Sequence, residues 1–380
     1  MLPWPPHSKQ IELVPLISSP ASRRNVLRIL PFGIIWFLMA QVFLISDWAA
    51  IGEGGITPDS AVELTPGIYL FATSLIVVIG LLVGVIELLF LNRLLATFSL
   101  SAKLTLKTAF YLAFLIAIML VTFPMAVALE MGTSISHPRV WERLGGFLWS
   151  RTAAGTMVQL LASLIASLFY AEISEHMGPG VLRNFLTGRY HAPREERRIF
   201  LFTDMKDSTA IAESLGHNQY FLLLKAYYAT LSDAIVQHGG SVYQYIGDEI
   251  VISWKDHAGL RDGACLQTVH AMQRALDERK DWFEREFGVL PSFRAGLQLG
   301  AVVVGEIGAL KKEIVFTGDV LNQTSRIQQA TKQHDTDVLL GDTLAEALIE
   351  SAPEWAGRLV SLGPQMLRGK QQPVVIYSLA

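Results

Sequence analysis

Two aspartates carry most of the chemical content of this chain. Asp204 closes an apolar run at residues 199–203, and Asp248 stands in a Gly-Asp pair between Ser241–Ile246 and residues 250–254. The runs are rich in aromatic and β-branched residues, which predicts strands. A Gly-Asp pair flanked by alternating apolar residues predicts a hairpin turn. A strand, a helix and a hairpin in that order bring both carboxylates to one edge of a sheet. Two carboxylates placed there suit a pair of hard cations such as magnesium, which are held through a few carboxylates plus the phosphates of a substrate. Either acid alone reads as a strand end or a turn residue; only the pair points to metal chemistry.

The elements around the acids extend the pattern. Phe221, Leu224, Tyr228, Leu231 and Ile235 recur at intervals of three and four, which predicts one buried helix face. His238, Gly239 and Gly240 end that helix before the hairpin. A second helical span at 259–287 precedes a strand at 293–303. A strand at 313–317, a helix at 320–331, and short strands with one more helix complete the chain. Strand, helix, hairpin, helix, strand is a ferredoxin-like order, with helices on one face of an antiparallel sheet.

The first half of the chain differs in kind. The whole sequence has 380 residues, 51% hydrophobic and 17% charged, with a mean hydropathy of +0.37. The apolar excess concentrates in four segments, 30–48, 66–91, 108–129 and 153–171. Each approaches or exceeds the ~20 residues that cross a bilayer core of ~30 Å as a helix. Arg23, Arg24 and Arg28 precede the first span, Arg93, Lys103 and Lys107 separate the second and third, and Arg183 and Arg189 follow the fourth. The 47–63 loop holds acids but no Lys or Arg, so the positive-inside rule puts both termini in the cytoplasm; Arg139, Arg143 and Arg151, between the third and fourth spans, run against it. Glu87 falls inside the second span, either as a sensing group or as a carboxylate that reaches the interface. Trp48 and Trp141 read as interfacial belt residues.

The expected organisation is a multi-domain membrane protein. It comprises a cytoplasmic tail at 1–27, a four-helix transmembrane domain at 28–171, a linker at 172–197 and an α/β domain at 198–380. Gly178, Pro179 and Gly180 should break the fourth helix within that linker. A net charge of −3 gives no case for nucleic-acid binding. The single cysteine, Cys265, forms no metal-ligand pattern and reads as a small buried helix residue.

Four motifs, FTDMKDST, YIGDEIVISW, GDVLNQTSR and LRGK, occur in this order. Together they resemble the class III nucleotidyl cyclase catalytic domain over residues 196–380. The resemblance implies that Asp204 and Asp248, with the backbone carbonyl of Met205, ligate two magnesium or manganese ions. It further implies that Asn322 positions the ribose, that Arg326 stabilises phosphate charge in the transition state, and that Lys370 binds the triphosphate. The i, i+4 spacing puts Asn322 and Arg326 on one helix face. In this family the carboxylates come from one catalytic domain and the Asn, Arg and base-binding positions from another. A chain with both sets and one such domain is therefore expected to form a twofold homodimer with two equivalent sites.

The family's adenine-selecting lysine corresponds to Gln244, and that lysine's polar partner to Val315; the guanine-selecting Glu and Cys pair is absent as well. Gln244 can donate and accept hydrogen bonds, whereas Val315 can do neither. Glu313, Lys311 and Lys312 are polar neighbours. The expected activity is conversion of a purine nucleoside triphosphate, ATP ahead of GTP, to the 3',5'-cyclic monophosphate plus pyrophosphate, by a bilayer-anchored enzyme whose catalytic domain is cytoplasmic. A catalytically silent nucleotide sensor or regulatory partner is the alternative. A diguanylate cyclase stands behind both, because Tyr245 and Ile246 replace its glycine context and the Asn322, Arg326 and LRGK matches have no place in it.

Overall fold

A computed structural model describes residues 20–51, 62–63, 65–91, 94–95, 98–177, 188–310, 312–366 and 372–379. Lys370, Arg93, Arg183, Lys311 and the Gly178–Gly180 helix break lie outside the described residues. The chain divides into two compact units, with Arg24–Arg183 in one and Asn184–Ala380 in the other.

The first unit holds α1 (Pro20–Ile51), α2 (Pro66–Val85), α3 (Leu100–Met131), α4 (Pro138–Leu148) and α5 (Arg151–Met177). Among the described residues, four helices are long and apolar enough to cross a membrane: those at Asn25–Ser46, Pro66–Leu91, Ser101–Met131 and Arg151–Ser174. In such helices the apolar effect does not distinguish a neighbour from lipid, so side-chain packing and hydrogen bonds decide which faces meet. Trp36 Nε1 donates to Ser167 Oγ at 2.9 Å and joins α1 to α5, and Phe32 meets Tyr170 edge-on at 5.4 Å. The α4 helix was not anticipated. It is amphipathic, burying Val140, Leu144 and Phe147, and its Arg143 pairs with Glu130. That pairing neutralises one of the three basic residues that ran against the orientation rule. Trp141 is half exposed, and its Nε1 donates to the Ile135 carbonyl at 3.0 Å.

Glu87 does not reach outward. It is 2% exposed, in a π-helical turn (Ile86–Leu91) that continues α2. Lys107 pairs with one of its oxygens, and Tyr111 donates to the other at 2.7 Å. Insertion of a residue into the helix, as a π-turn does, rotates the side chains about the axis and lets the carboxylate face α3. Glu87→Ala removes the charge that offsets Lys107, so it is expected to cost on the order of 3 kcal/mol. The thermal midpoint of the protein in detergent should drop, and a Glu87→Gln/Lys107→Met double substitution should recover most of the loss.

The second unit is built on one long sheet. Its strands are β1 (Arg194–Met205), β2 (Ser241–Ile246), β3 (Glu249–Lys255), β4 (Phe293–Ile307), β5 (Glu313–Thr317), β6 (Val338–Gly341), β7 (Leu359–Gln365) and β8 (Val374–Leu379). The strand order is β2-β3-β1-β4-β6-β8-β7, and β5 pairs with the far half of β4. The β2-β3-β1-β4 portion is antiparallel throughout, as the ferredoxin-like order requires; β4 pairs β6 in parallel. Helix α6 (Ser208–Gln237) links β1 to β2. The 259–287 span is not one helix but includes α7 (Ala264–Asp277) and α8 (Lys280–Phe287), with Gly263 at φ 64° ahead of α7. Helices α9 (Asp319–Ala330) and α10 (Asp342–Ser351) follow.

Side chains alternate across the sheet, and the two faces carry different loads. Ile199, Leu201, Ile250, Ile252 and Leu297 point into the main core with Leu223, Tyr227 and Leu231 of α6, Val269 and Met272 of α7, and Leu344 of α10. Phe200, Phe202, Val251, Val302 and Val304 point the other way, into a smaller core with Val320 of α9. One helix, α9, thus lies on the face opposite the rest. It fits closely because Gly296 has no side chain: a Cβ there would lie 2.4 Å from the Gln328 backbone nitrogen.

The buried face of α6 is rotated from the expected one. Leu231 and Ile235 are buried and Leu224 and Tyr228 partly so, but Phe221 is 69% exposed. Counting back from Leu231 at 3.6 residues per turn lands between Tyr227 and Tyr228, then between Leu223 and Leu224, then on Tyr220. Intervals of three and four alone do not resolve that drift.

Candidate functional site

Asp204 sits at the end of β1, where the strand emerges from between its two neighbours. Residues 200–203 are buried, and β1 is paired along this stretch with β3 on one side and β4 on the other. Asp204 lies opposite Arg294 in the β4 register. The side chain of Met205 is in the core, so only its main chain is available to a ligand.

Asp248 is delivered by the β2–β3 hairpin. Ile246 pairs with Glu249, which leaves Gly247 and Asp248 as a two-residue turn. Gly247 takes φ 63° and Asp248 keeps a negative φ, the pattern of a type II′ hairpin with Gly first. Because Thr203 is opposite Ile250 in β3, the turn falls beside the end of β1, and the two acids meet.

Their electrostatics follow from that meeting. Asp204's carboxyl is pushed above its ordinary value by burial, then by the charge of Asp248 and a hydrogen bond with it; Lys332 and Gln328 act in the opposite sense. Asp248 Oδ2 is buried without a hydrogen-bond partner. Tyr220, Tyr227 and Tyr228 of α6 lie within reach of the charge of Asp248. Their phenols are raised, foremost by burial, with Asp248's charge among the further causes; that of Tyr228 is pushed up to about 12 and stays protonated.

A like-charged pair with an orphaned oxygen fits a cation. Among the described residues no cluster of three or more His, Cys, Asp or Glu could hold a metal. An ion here would complete its shell with main-chain oxygen, water and substrate phosphates, as magnesium commonly does.

Asn322 and Arg326 stand on α9, the helix of the opposite face; Asn322 is exposed and Arg326 partly so. Among the described residues no hydrogen bond or ion pair links either to the acids of the same chain. Gln244 is exposed on the edge strand β2, beyond a bulge at Val242/Gln244, and Val315 is half-buried on β5. The two flank a single aromatic contact: Tyr243 and Phe316 meet at 4.7 Å, and the Phe316 backbone nitrogen donates to Tyr243 Oη at 3.3 Å. The structure therefore gathers the acids at one place and the base-edge positions at another.

The profile of the adenylate and guanylate cyclase catalytic domain matches residues 191–379. This region belongs to the class III nucleotidyl cyclase catalytic domains. Adenylate cyclase 2 of Rhizobium meliloti (strain 1021) is 31% identical over 223 residues, 59% of this chain and 61% of that protein. The adenylate cyclase of Anabaena cylindrica is 31% identical over 194 residues, 50% of this chain and 38% of that one. The chain thus spans about three fifths and two fifths of these relatives. A bacterial light-regulated adenylyl cyclase structure aligns over 59% of this chain and 65% of its own, at 20% identity and a TM-score of 0.49.

Sequence reasoning overlooked Glu249. Its carboxyl is pushed up to about 7 from 4.5 by burial, then by the charges of Asp204 and Asp248. Its position next to Asp248 was the available signal. A carboxyl with a raised folded pKa favours the folded state while protonated, and that contribution is lost as pH rises through the window from 4.5 to about 7. Chelator-treated protein should lose thermal stability across this window more steeply than Glu249→Gln, and a divalent ion should offset the loss. Equal slopes for the two proteins would show that the cluster does not carry this charge repulsion.

Proposed function

We propose that this chain is a bilayer-anchored nucleotidyl cyclase that converts a purine nucleoside triphosphate, ATP first, to its 3',5'-cyclic monophosphate with release of pyrophosphate. The observation that carries this reading is the convergence of Asp204 and Asp248, with an unsatisfied buried carboxylate oxygen, inside a cyclase catalytic domain. The choice of ATP draws on the two relatives named adenylate cyclase.

In this reading Asp204, Asp248 and the Met205 carbonyl hold two magnesium or manganese ions. Such ions lower the pKa of the attacking 3'-hydroxyl and neutralise phosphate charge. The residues of the chain do the rest. Asn322 holds the ribose so that its hydroxyl faces the α-phosphate, Arg326 meets the charge that develops on the phosphates, and Lys370 binds the triphosphate end. Gln244 lies where the base is read, and Val315 offers only apolar contact.

The position of α9 on the face opposite the main core supports a shared site. The acids of one protomer work with Asn322 and Arg326 of its partner, and a twofold axis generates two such sites. The four apolar helices anchor the dimer, with the catalytic domain on the cytoplasmic side, where the basic N-terminal segment and the nucleotide pool lie.

Incubation with manganese and ATP or GTP should give a cyclic mononucleotide, and Asp204→Ala or Asp248→Ala should abolish it. Absence of product from both nucleotides would leave the silent-sensor reading, which the Val315 position favours. Arg326→Ala should act mainly on kcat, because its contact strengthens in the transition state. Co-expression of Asp248→Ala with Arg326→Ala should recover about a quarter of wild-type activity, since half of random dimers are mixed and each has one intact site; no recovery would exclude a shared site.

A further inference from the structure

We propose that Tyr228 is the residue that positions Asp248 for metal binding, by holding the hairpin turn from the side of helix α6. The inference rests on the reading of Asp248 as a metal ligand and adds a residue that the sequence motifs do not contain.

The turn needs an external hold. Among the described residues strand β2 pairs only with β3, five of its six residues are exposed, and a bulge interrupts its register. Gly247 is exposed, and a Cβ built on it meets no atom within 4 Å. Packing therefore does little to fix the tip. The phenol of Tyr228 donates to the carbonyl oxygen of Gly247. Its ring lies 4.5 Å from that of Tyr245, on the strand leading into the turn. Among the described residues this is the hydrogen bond that ties the main chain of the turn to α6.

That carbonyl belongs to the peptide unit joining Gly247 to Asp248. The unit is planar, so fixing its oxygen fixes the plane from which the Asp248 Cα projects. The other end of the tie is rigid. Tyr227 and Leu231, on either side of Tyr228, are fully buried in the main core. The same helix begins at Ser208, shortly after Asp204. The helix is kinked at Gly216 (φ 72°), so Tyr228 stands on the segment after the kink, and it is this core-packed segment that holds the turn carrying the second acid. A residue that fixes a ligand's orientation from behind typically changes metal affinity by 10–100-fold when lost.

The test uses the full chain in detergent micelles without nucleotide, with Mn2+ binding read by the electron paramagnetic resonance of the free ion. Tyr228→Phe keeps the ring stack and removes only the hydroxyl. It should raise the Mn2+ dissociation constant by about 10-fold, leave the thermal midpoint in chelator unchanged, and allow cyclic nucleotide formation to recover at saturating Mn2+. Asp248→Asn serves as the reference for loss of the ligand itself. Wild-type Mn2+ affinity in Tyr228→Phe, or an activity loss equal at every Mn2+ concentration, would overturn the positioning role. Full affinity in Asp248→Asn would instead overturn the ligand assignment beneath it. If Tyr228→Phe lowers the midpoint in chelator, the Mn2+-induced rise above that midpoint still reports affinity, and a rise equal to the wild type's counts against the proposal.

Discussion

The constraint on which the catalytic domain depends is the meeting of two acids that repel one another. Two like unit charges about 4 Å apart repel by about 4 kcal/mol at an effective dielectric of about 20. Lys332 and Gln328 oppose the shift on Asp204, but burial and Asp248 outweigh them. The pair is held by the backbone. Strand β1 is locked between β3 and β4, and the β3 register sets the hairpin turn beside its end. The strain is local and electrostatic, as expected of a site built to receive positive charge.

Placing α9 on the opposite face follows from the same sheet. Alternation sends Phe200, Phe202, Val302 and Val304 away from the main core, and an uncovered apolar face of that size needs a partner. Val320 and Ile327 of α9 supply it, and Gly296 and Gly300 of β4 let the helix approach. The polar side of the same helix carries Asn322 and Arg326, turned away from the packing that fixes it. In the proposed dimer this division is useful: each protomer builds one half of a site on a rigid element, and neither half has to reach across its own sheet.

What the sequence made legible was the part governed by local rules. Strand content, the Gly-Asp turn and the positions of α9 and β5 follow from residue type and spacing, and so do the four apolar helices. What it concealed depended on rotation and burial. The α6 face needed the true helical period, which turns Phe221 outward and Tyr227 inward. The raised carboxyl of Glu249 needed the approach of two strands, and the burial of Glu87 against Lys107 and Tyr111 needed a π-turn that no composition signal announces. The split of 259–287 into shorter helices falls at two places, Asp262 and Gly263 with positive φ ahead of α7, and Arg279, whose backbone leaves the helical region between α7 and α8.

The two halves of the proposed chemistry make unequal demands on the fold. Binding a cation needs negative charge at one place, and Asp204 and Asp248 meet that need within a single chain. Reading a base needs donors and acceptors at fixed positions, and the residues available for it stand on edge elements. Gln244 is exposed beyond a bulge, and Val315 is on a strand that, among the described residues, pairs on one side only. The contact between Tyr243 and Phe316 ties these edges together and gives Gln244 and Val315 a common anchor. Apolar contact at Val315 discriminates weakly between purines, because it leaves no polar group unpaired when the wrong base enters. In the proposed function, selectivity would fall to Gln244, whose amide can present either a donor or an acceptor to a purine edge.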